Sequence, residues 1–343
     1  MLKRNFPRYL PFVIALVLLG GANRLESRNQ APQVSRLRGE LIRLQKESGL
    51  SLVSIQDNKI RAVSFADRKL KQVREVVKQV SGLDGTISPD GEELAFSFCS
   101  EPELQHPSPY VTMCGGRDSV AIAAADGTGF REFPNLRYGL QPCWSYDDAK
   151  LASSWQDRSQ TPGWGEGLKI LDLKSGHVEP VDELDSFATN QCWSPDGKQF
   201  VYTLNKAGGI QTVRLYDTTE KKSHDLADGG NATWSPDGKW IAYLHCPPEL
   251  YNCEYDEIRP DGSGRQRIFA VTIAEGGLFW SPDSKIVAYI GENTSSVDPP
   301  GVEQGPNELR VRMLDSQSED WVVHFSESDS PFFQWAKISE MEH

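Results

Sequence analysis

An eleven-residue phrase recurs along this chain and limits the available folds more than any other feature. Thr233–Tyr243 reads TWSPDGKWIAY, Cys192–Tyr202 reads CWSPDGKQFVY and Phe279–Tyr289 reads FWSPDSKIVAY. Cys143–Ser153 (CWSYDDAKLAS) and Thr86–Phe96 (TISPDGEELAF) are worn copies, and Gln334, Trp335 and Ala336 are the remnant of a sixth. The anchor positions Ile87, Trp144, Trp193, Trp234, Trp280 and Trp335 are spaced by 57, 49, 41, 46 and 55 residues.

Each copy reads as a β-hairpin. Two short apolar runs flank Ser-Pro-Asp-Gly. Proline presets φ at the first central turn position, and Asp90, Asp147, Asp196, Asp237 and Asp283 are placed to cap the turns. Glycine then supplies the left-handed residue that returns the chain. The Trp/Pro/Asp/Gly set is therefore structural. Burying about 150–250 Å² of indole at about 25 cal/mol per Å² contributes at most roughly 4–6 kcal/mol per anchor.

In five repeats the hairpin is followed by a third strand, a polar turn and a fourth strand, as where Ile122–Ala125 leads into Asp126-Gly127-Thr128-Gly129. Such Asp/Gly turns can imitate calcium loops, but their regular place between strands makes them hairpin turns. Ahead of these repeats, Ser51–Gln56, Lys59–Ala66 and Leu70–Val77 read as three strands with no such hairpin, and one strand around Phe332–Lys337 is left at the end. Three and one make a blade. The pattern predicts an all-β fold, a six-bladed β-propeller of four-stranded blades whose ring is closed by N-terminal strands completing the last blade. A solenoid of similar period would need capping ends and has no use for this complementarity. The propeller is assigned to residues 51–343, and residues 23–50 to a linker and a short amphipathic helix. Val34, Leu37, Leu41 and Leu44 carry that helix at three- and four-residue steps, and it either docks on the body, leads away as a stalk or binds a partner.

Charge is divided unevenly. The net charge of −12 splits into +6 over residues 1–50 and −18 over the remainder. An acidic body argues against nucleic acid, which needs a basic face, and suggests cationic partners or plain solubility. Lys3, Arg4 and Arg8 precede an apolar run from Tyr9 to Leu19 and then Gly20-Gly21-Ala22, the order of a secretory signal. Residues 1–22 are thus read as a signal peptide cleaved after Ala22, or as an uncleaved N-terminal anchor; either way the body is exported, periplasmic or secreted.

The cysteines agree with export. Cys99 with Cys114, and Cys246 with Cys253, bracket equivalent loops and read as loop-closing disulfides. Cys143 and Cys192 each stand just before an anchor tryptophan in consecutive repeats, and either bridge two inner strands or stay as buried thiols. No Cys-x-x-Cys pair or Cys/His cluster suggests zinc, and no metal or other cofactor is expected.

The combination of Trp-Ser-Pro-Asp-Gly-Lys-x-Ile-Ala-Tyr with a following strand and Asp-Gly-Ser/Thr-Gly resembles the repeats of the TolB C-terminal propeller, over roughly residues 51–343. TolB proteins are periplasmic and recruit envelope proteins through the propeller and an N-terminal segment, so the resemblance implies an envelope protein or peptide as partner. They also carry an α/β domain ahead of the propeller. Here 28 residues separate Ala22 from Ser51, and the resemblance is to the propeller alone.

Strand order sets which loops share a face. The loops between second and third strands gather with the blade-to-blade connections, opposite the Ser-Pro-Asp-Gly turns. Four of them are long: Cys99–Cys114, Gln156–Gly167, His245–Cys253 and Gly291–Asn307. They carry Glu101, Glu103, Tyr110, Asp157, Arg158, Trp164, Glu166, Glu249, Tyr251, Glu292, Asp298 and Glu303, and aromatics among acids suit a polypeptide or basic partner. The blander alternative is solvated loops with no ligand. An enzyme is the weaker reading. Gly-x-Ser-x-Gly is absent, and the six histidines show no metal-ligand spacing. His106 and His245 could still join loop acids as ligands or as a base. The sequence reading is therefore a monomeric, non-enzymatic binding or scaffold protein of the cell envelope, with a glycan-binding or glycan-cleaving propeller (lyase or hydrolase) as the alternative.

Overall fold

The computed structural model describes residues 36–56, 59–65, 67, 69–75, 85–99, 118–124, 128–136, 140–157, 165–184, 188–206, 209–247, 253–271, 274–291, 307–314, 321–325 and 333–337. A helix, α1, spans residues 36–48. Three strands follow it: β1 (Leu50–Gln56), β2 (Lys59–Ser64) and β3 (Lys69–Glu75). The second blade is β4 (Gly85–Ile87), β5 (Glu93–Cys99), β6 (Asp118–Ala124) and β7 (Arg131–Phe133). The third is β8 (Leu140–Trp144), β9 (Lys150–Asp157), β10 (Gly165–Asp172) and β11 (Val178–Leu184). The fourth is β12 (Ala188–Trp193), β13 (Gln199–Asn205), β14 (Gln211–Asp217) and β15 (Lys222–Asp228). The fifth is β16 (Gly230–Trp234), β17 (Ile241–His245), β18 (Cys253–Ile258) and β19 (Gln266–Val271). The sixth is β20 (Ala274–Trp280), β21 (Ile286–Gly291), β22 (Asn307–Met313) and β23 (Trp321–Phe325), and β24 (Phe333–Lys337) ends the series. That last strand pairs antiparallel with β1, Leu52 opposite Trp335, giving a first blade of order β24-β1-β2-β3. The ring is a six-bladed propeller closed by strands from both ends of the chain, as the strand count predicts.

The hairpin turns are built alike because the same side chains make the same bonds. In the fourth blade Ser194 Oγ donates to Asp196 Oδ1 (2.7 Å) and accepts from the Gln199 N–H (3.0 Å), while Asp196 Oδ1 accepts from the Lys198 N–H (3.1 Å). Ser88 with Asp90, Ser145 with Asp147, Ser235 with Asp237 and Ser281 with Asp283 repeat the serine-to-aspartate bond at 2.6–2.7 Å. Gly91, Gly197 and Gly238 take positive φ of 68–80°. In the worn copies Asp148 (55°) and Ser284 (58°) hold that left-handed position, where a side chain is costly. Each reaches back to the preceding turn: Asp148 accepts from the Asp90 N–H and Ser284 Oγ from the Asp237 N–H.

The serine hydroxyls hold the Asp147 and Asp196 carboxyls below the usual range. A depressed folded pKa adds stability above the unfolded value near 3.9, and that stability is lost as pH falls through the folded pKa. Ser194→Ala removes the donor and leaves the Gln199 N–H without its side-chain acceptor. It is expected to cost about 1–2 kcal/mol in urea unfolding at pH 7 and to make the loss of Tm between about pH 5 and 2 shallower. An unchanged acid limb would contradict this account of the turn.

The core is not one mass but a wedge at each blade junction. Ile87 lies with Val53, Ile60 and Ala62 of the first blade, and Trp144 with Ala95, Val120 and Ile122 of the second. Trp193 lies among Ala152, Leu168, Ile170 and Val181 of the third blade, Trp234 beside Val201 and Val213 of the fourth, and Trp280 beside Ala242 and Tyr255 of the fifth. Each anchor thus faces the blade before its own. The residue ahead of it does the converse. Thr86 Oγ1 donates to Pro142 O (3.0 Å), and Thr233 Oγ1 accepts from Trp280 Nε1 (3.2 Å). Phe279 meets Phe333 edge-on with ring centroids 5.8 Å apart. Gln334 closes the ring by accepting from the Ile87 N–H (3.0 Å) and donating to Ile87 O (2.6 Å).

Helix α1 docks on the closing junction. Leu37 and Leu41 are buried in the wedge that holds Leu52, Val63 and Phe65 of the first blade with Ile286, Ile290, Leu309, Val311 and Met313 of the sixth. Its apolar stripe is therefore covered by the ring and is not open to a partner. Val34 lies outside the described residues. Gly49 (φ 67°) ends the helix, its N–H bonded to Gln45 O (3.0 Å), and the chain passes directly into β1. The first two strands of this blade come from opposite ends of the chain and share no turn; α1 occupies that end instead.

Candidate functional site

The register of each blade separates two faces. One carries the five serine–aspartate turns, α1 and the third-to-fourth turns such as Leu173–His177. The other receives the second-to-third loops and the blade-to-blade connections. At the base of the β9–β10 loop, Asp157 pairs with Gly165 and Gln156 with Glu166, so Asp157 and Glu166 sit at neighbouring strand ends on the loop face. Glu101, Glu103, Tyr110, Arg158, Trp164, Glu249, Tyr251, Glu292, Asp298 and Glu303 lie outside the described residues, as does His106.

Cys246 and Cys253 form a disulfide with Cα atoms 4.2 Å apart, closing the β17–β18 loop at its base. Cys99 ends β5 opposite Asp118, and Cys114 lies outside the described residues. His245, just before the bridge, sets Nδ1 3.1 Å from Asp228 O, tying the loop base to the incoming connection between the fourth and fifth blades. Elsewhere on this rim Gln211 Nε2 donates to Asn205 Oδ1 (2.9 Å), which braces the short β13–β14 connection. Glu308, buried at the start of β22, pairs with Arg310 at 2.6 Å. Among the described residues no three of His, Cys, Asp and Glu gather in a metal-binding group. None of the described helices is long and apolar enough to cross a membrane.

Of the two states open for Cys143 and Cys192, the structure has the second: both are free thiols and no bridge joins them. Cys143 packs into the wedge between the third and fourth blades, and Cys192 into the wedge between the fourth and fifth. Cys143 donates to Trp144 O (3.7 Å) and Cys192 to Trp193 O (3.8 Å). Both sulfurs are thereby satisfied without a covalent bond. The nearby Cys192 thiol and burial raise the Cys143 pKa, whereas the nearby Cys143 thiol lowers that of Cys192. Tyr146, in the β8–β9 turn, lies near both sulfurs and keeps 42% of its surface exposed. Sequence reasoning did not connect Tyr146 with this pair; its place where other copies have proline was the available signal.

Comparison with solved structures returns propellers. TolB from Acinetobacter baumannii superposes with a TM-score of 0.59 at 16% identity, covering 84% of this chain and 66% of that one. The chain has a TolB-type propeller fold. It spans just under two thirds of the Acinetobacter chain. The same ring is found in a chain of the nidogen/laminin complex (TM-score 0.58, 9% identity, 84% and 98% covered). An oligogalacturonate lyase from Vibrio parahaemolyticus shares it too (TM-score 0.54, 12% identity, 79% and 72% covered). No protein-family profile and no curated protein sequence matches the chain. One TolB-type ring thus serves proteins of different kinds, and function must be argued from the faces of this one.

Proposed function

We propose that this chain is an exported, non-enzymatic scaffold of the cell envelope that binds a protein or peptide through the loop face of its propeller. The observation that supports the reading is the antiparallel order of every blade, which puts the ends of the second strands and the starts of the third strands on one side of the ring. Backbone pairing brings Asp157 and Glu166 to adjacent strand ends in the third blade, and the Cys246–Cys253 bridge closes the corresponding loop base in the fifth. Rigid strands presenting braced, acidic loops suit recognition of a basic or mixed polypeptide surface. The disulfide fits an oxidising compartment. The acidic body attracts a cationic partner over distance, an effect screened by salt.

The second reading, a glycan-binding or glycan-cleaving propeller, draws on the lyase that shares the fold. One experiment separates the two. Purified protein is used as bait on the host's envelope fraction, and in parallel is incubated with oligouronides while unsaturated products are followed by absorbance. The scaffold reading expects a discrete protein released by salt, weaker capture by a paired Asp157→Asn, Glu166→Gln variant, and no product. Turnover of the sugar, or capture unaffected by both the variant and salt, would overturn it.

A further inference from the structure

We propose that the groove between the outer edges of the second and third blades is a binding site for a small carboxylic acid, of the size and polarity of an acidic monosaccharide. The site stands apart from the loop face and does not depend on the partner of that face.

The groove exists because the second blade is cut short. Its outermost strand, β7, has three residues, whereas the outermost strands of the other blades have five to seven. A short turn of helix, Pro134–Leu136, takes over where β7 stops. Leu136 is buried in the same wedge as Leu171 and Val178 of the third blade. Beside it lies a cavity of about 390 Å³, lined by Asn135 of the second blade and by Lys169, Gly176, His177, Val178 and Pro180 of the third. That volume lies in the range of small-molecule sites, and Gly176, His177 and Pro180 are open to solvent.

The lining favours negative charge. Lys169 is partly buried, and its Nζ stands 4.3 Å from the centre of the Trp155 ring and 3.4 Å from Asn135 O. Trp155 lies close against β10 because residue 167 is glycine: a Cβ there would come 2.7 Å from Trp155 Nε1. The ammonium is thus held between an indole of the third blade and a carbonyl of the second, a point charge in place before any ligand arrives. The exposed His177 side chain adds a second polar group. None of the six lining residues is acidic, in a body that carries −18 beyond residue 50. Glu179, between Val178 and Pro180 in sequence, pairs instead with Lys221 of the fourth blade (3.0 Å). One fixed ammonium balances a carboxylate and leaves a phosphate, close to its second negative charge at pH 7, undercompensated. Val178 and Pro180 supply an apolar wall for the body of the ligand.

The test titrates the full chain, isotopically labelled for NMR, with glucuronate, glucose and inorganic phosphate in turn. Glucuronate is expected to bind with a dissociation constant of about 1 mM and to move the amide signals of Asn135, Lys169, His177 and Val178. Glucose has a similar ring without the carboxylate and should bind about tenfold more weakly. Lys169→Met keeps an apolar stem over Trp155, removes the charge and should weaken glucuronate about tenfold. Lys239→Met, at an exposed lysine of the fifth blade, should change nothing. No shifts at millimolar glucuronate, shifts gathered elsewhere on the ring, or equal binding of glucose would overturn the proposal. So would phosphate binding more tightly than glucuronate, or undiminished binding by Lys169→Met. The comparison of three ligands on the wild-type protein stands even if that variant folds poorly.

Discussion

Replacing Trp193 with alanine is expected to cost about 3–5 kcal/mol of folding stability and to lower Tm by about 6–15 °C. Trp193 is fully buried between the third and fourth blades, its ring 5.2 Å from that of Phe200, and its indole N–H bonds to Cys143 O. Truncation removes the packing of Ala152, Leu168, Ile170 and Val181 against the fourth blade and leaves a cavity that rigid flanking sheets fill poorly. Loss of the indole hydrogen bond adds to this. Total stabilities of domains lie at about 5–15 kcal/mol, so one anchor represents a large share. Trp193→Phe keeps most of the ring volume and should retain more than half of the lost stability. Urea unfolding of the three proteins checks the order. A loss below about 1 kcal/mol for alanine would mean that the wedge relaxes around the gap.

Leu41→Ala is expected to cost about 2–5 kcal/mol, although the residue belongs to the helix and not to any blade. Leu41 is fully buried where the first and sixth blades meet, with Phe65, Ile290, Val311 and Met313 around it. That junction is closed by strands from the two ends of the chain, held by β1–β24 pairing and by Gln334 on Ile87. Uncovering it should loosen the ring at its seam. Hydrogen exchange should rise first in β1 and β24 and last in the fourth and fifth blades. Arg43→Ala, on the exposed side of the same helix, breaks only surface pairs with Glu40 and Glu47 and should change neither reading. Equal losses from Leu41→Ala and Arg43→Ala would show that the helix acts through its own stability and not through the seam.

Much of this architecture was legible in the sequence because its signals are local. Trp-Ser-Pro-Asp-Gly encodes a core anchor, a serine–aspartate bond and a left-handed return within one short span, and the repeats could be counted. Ring closure followed from three strands at one end and one at the other. The docking place of α1 did not. Leu37, Leu41 and Leu44 announce a buried face but carry no mark of what buries it. The links between blades were equally hidden, since Thr86, Cys143, Cys192, Thr233, Phe279 and Gln334 share a position but no chemistry. For Cys143 and Cys192, sequence left bridge and thiol open, because the difference lies in how two side chains are set in neighbouring junctions. The loop face was legible as topology: Asp157 and Glu166 stand on it by the backbone register. What each loop residue contacts depends on the folded loops and has no local code.

The most direct test of the binding-face account is site-specific photo-crosslinking in the host, with Trp164 replaced by a crosslinking amino acid. Position 164 immediately precedes the loop-face end of β10, and Lys198, exposed in the turn between β12 and β13, serves as the opposite-face control. Discrete protein adducts from position 164 and none from position 198 are the expected result, and they identify the partner. Equal adducts from both positions, or none from 164, would contradict the account.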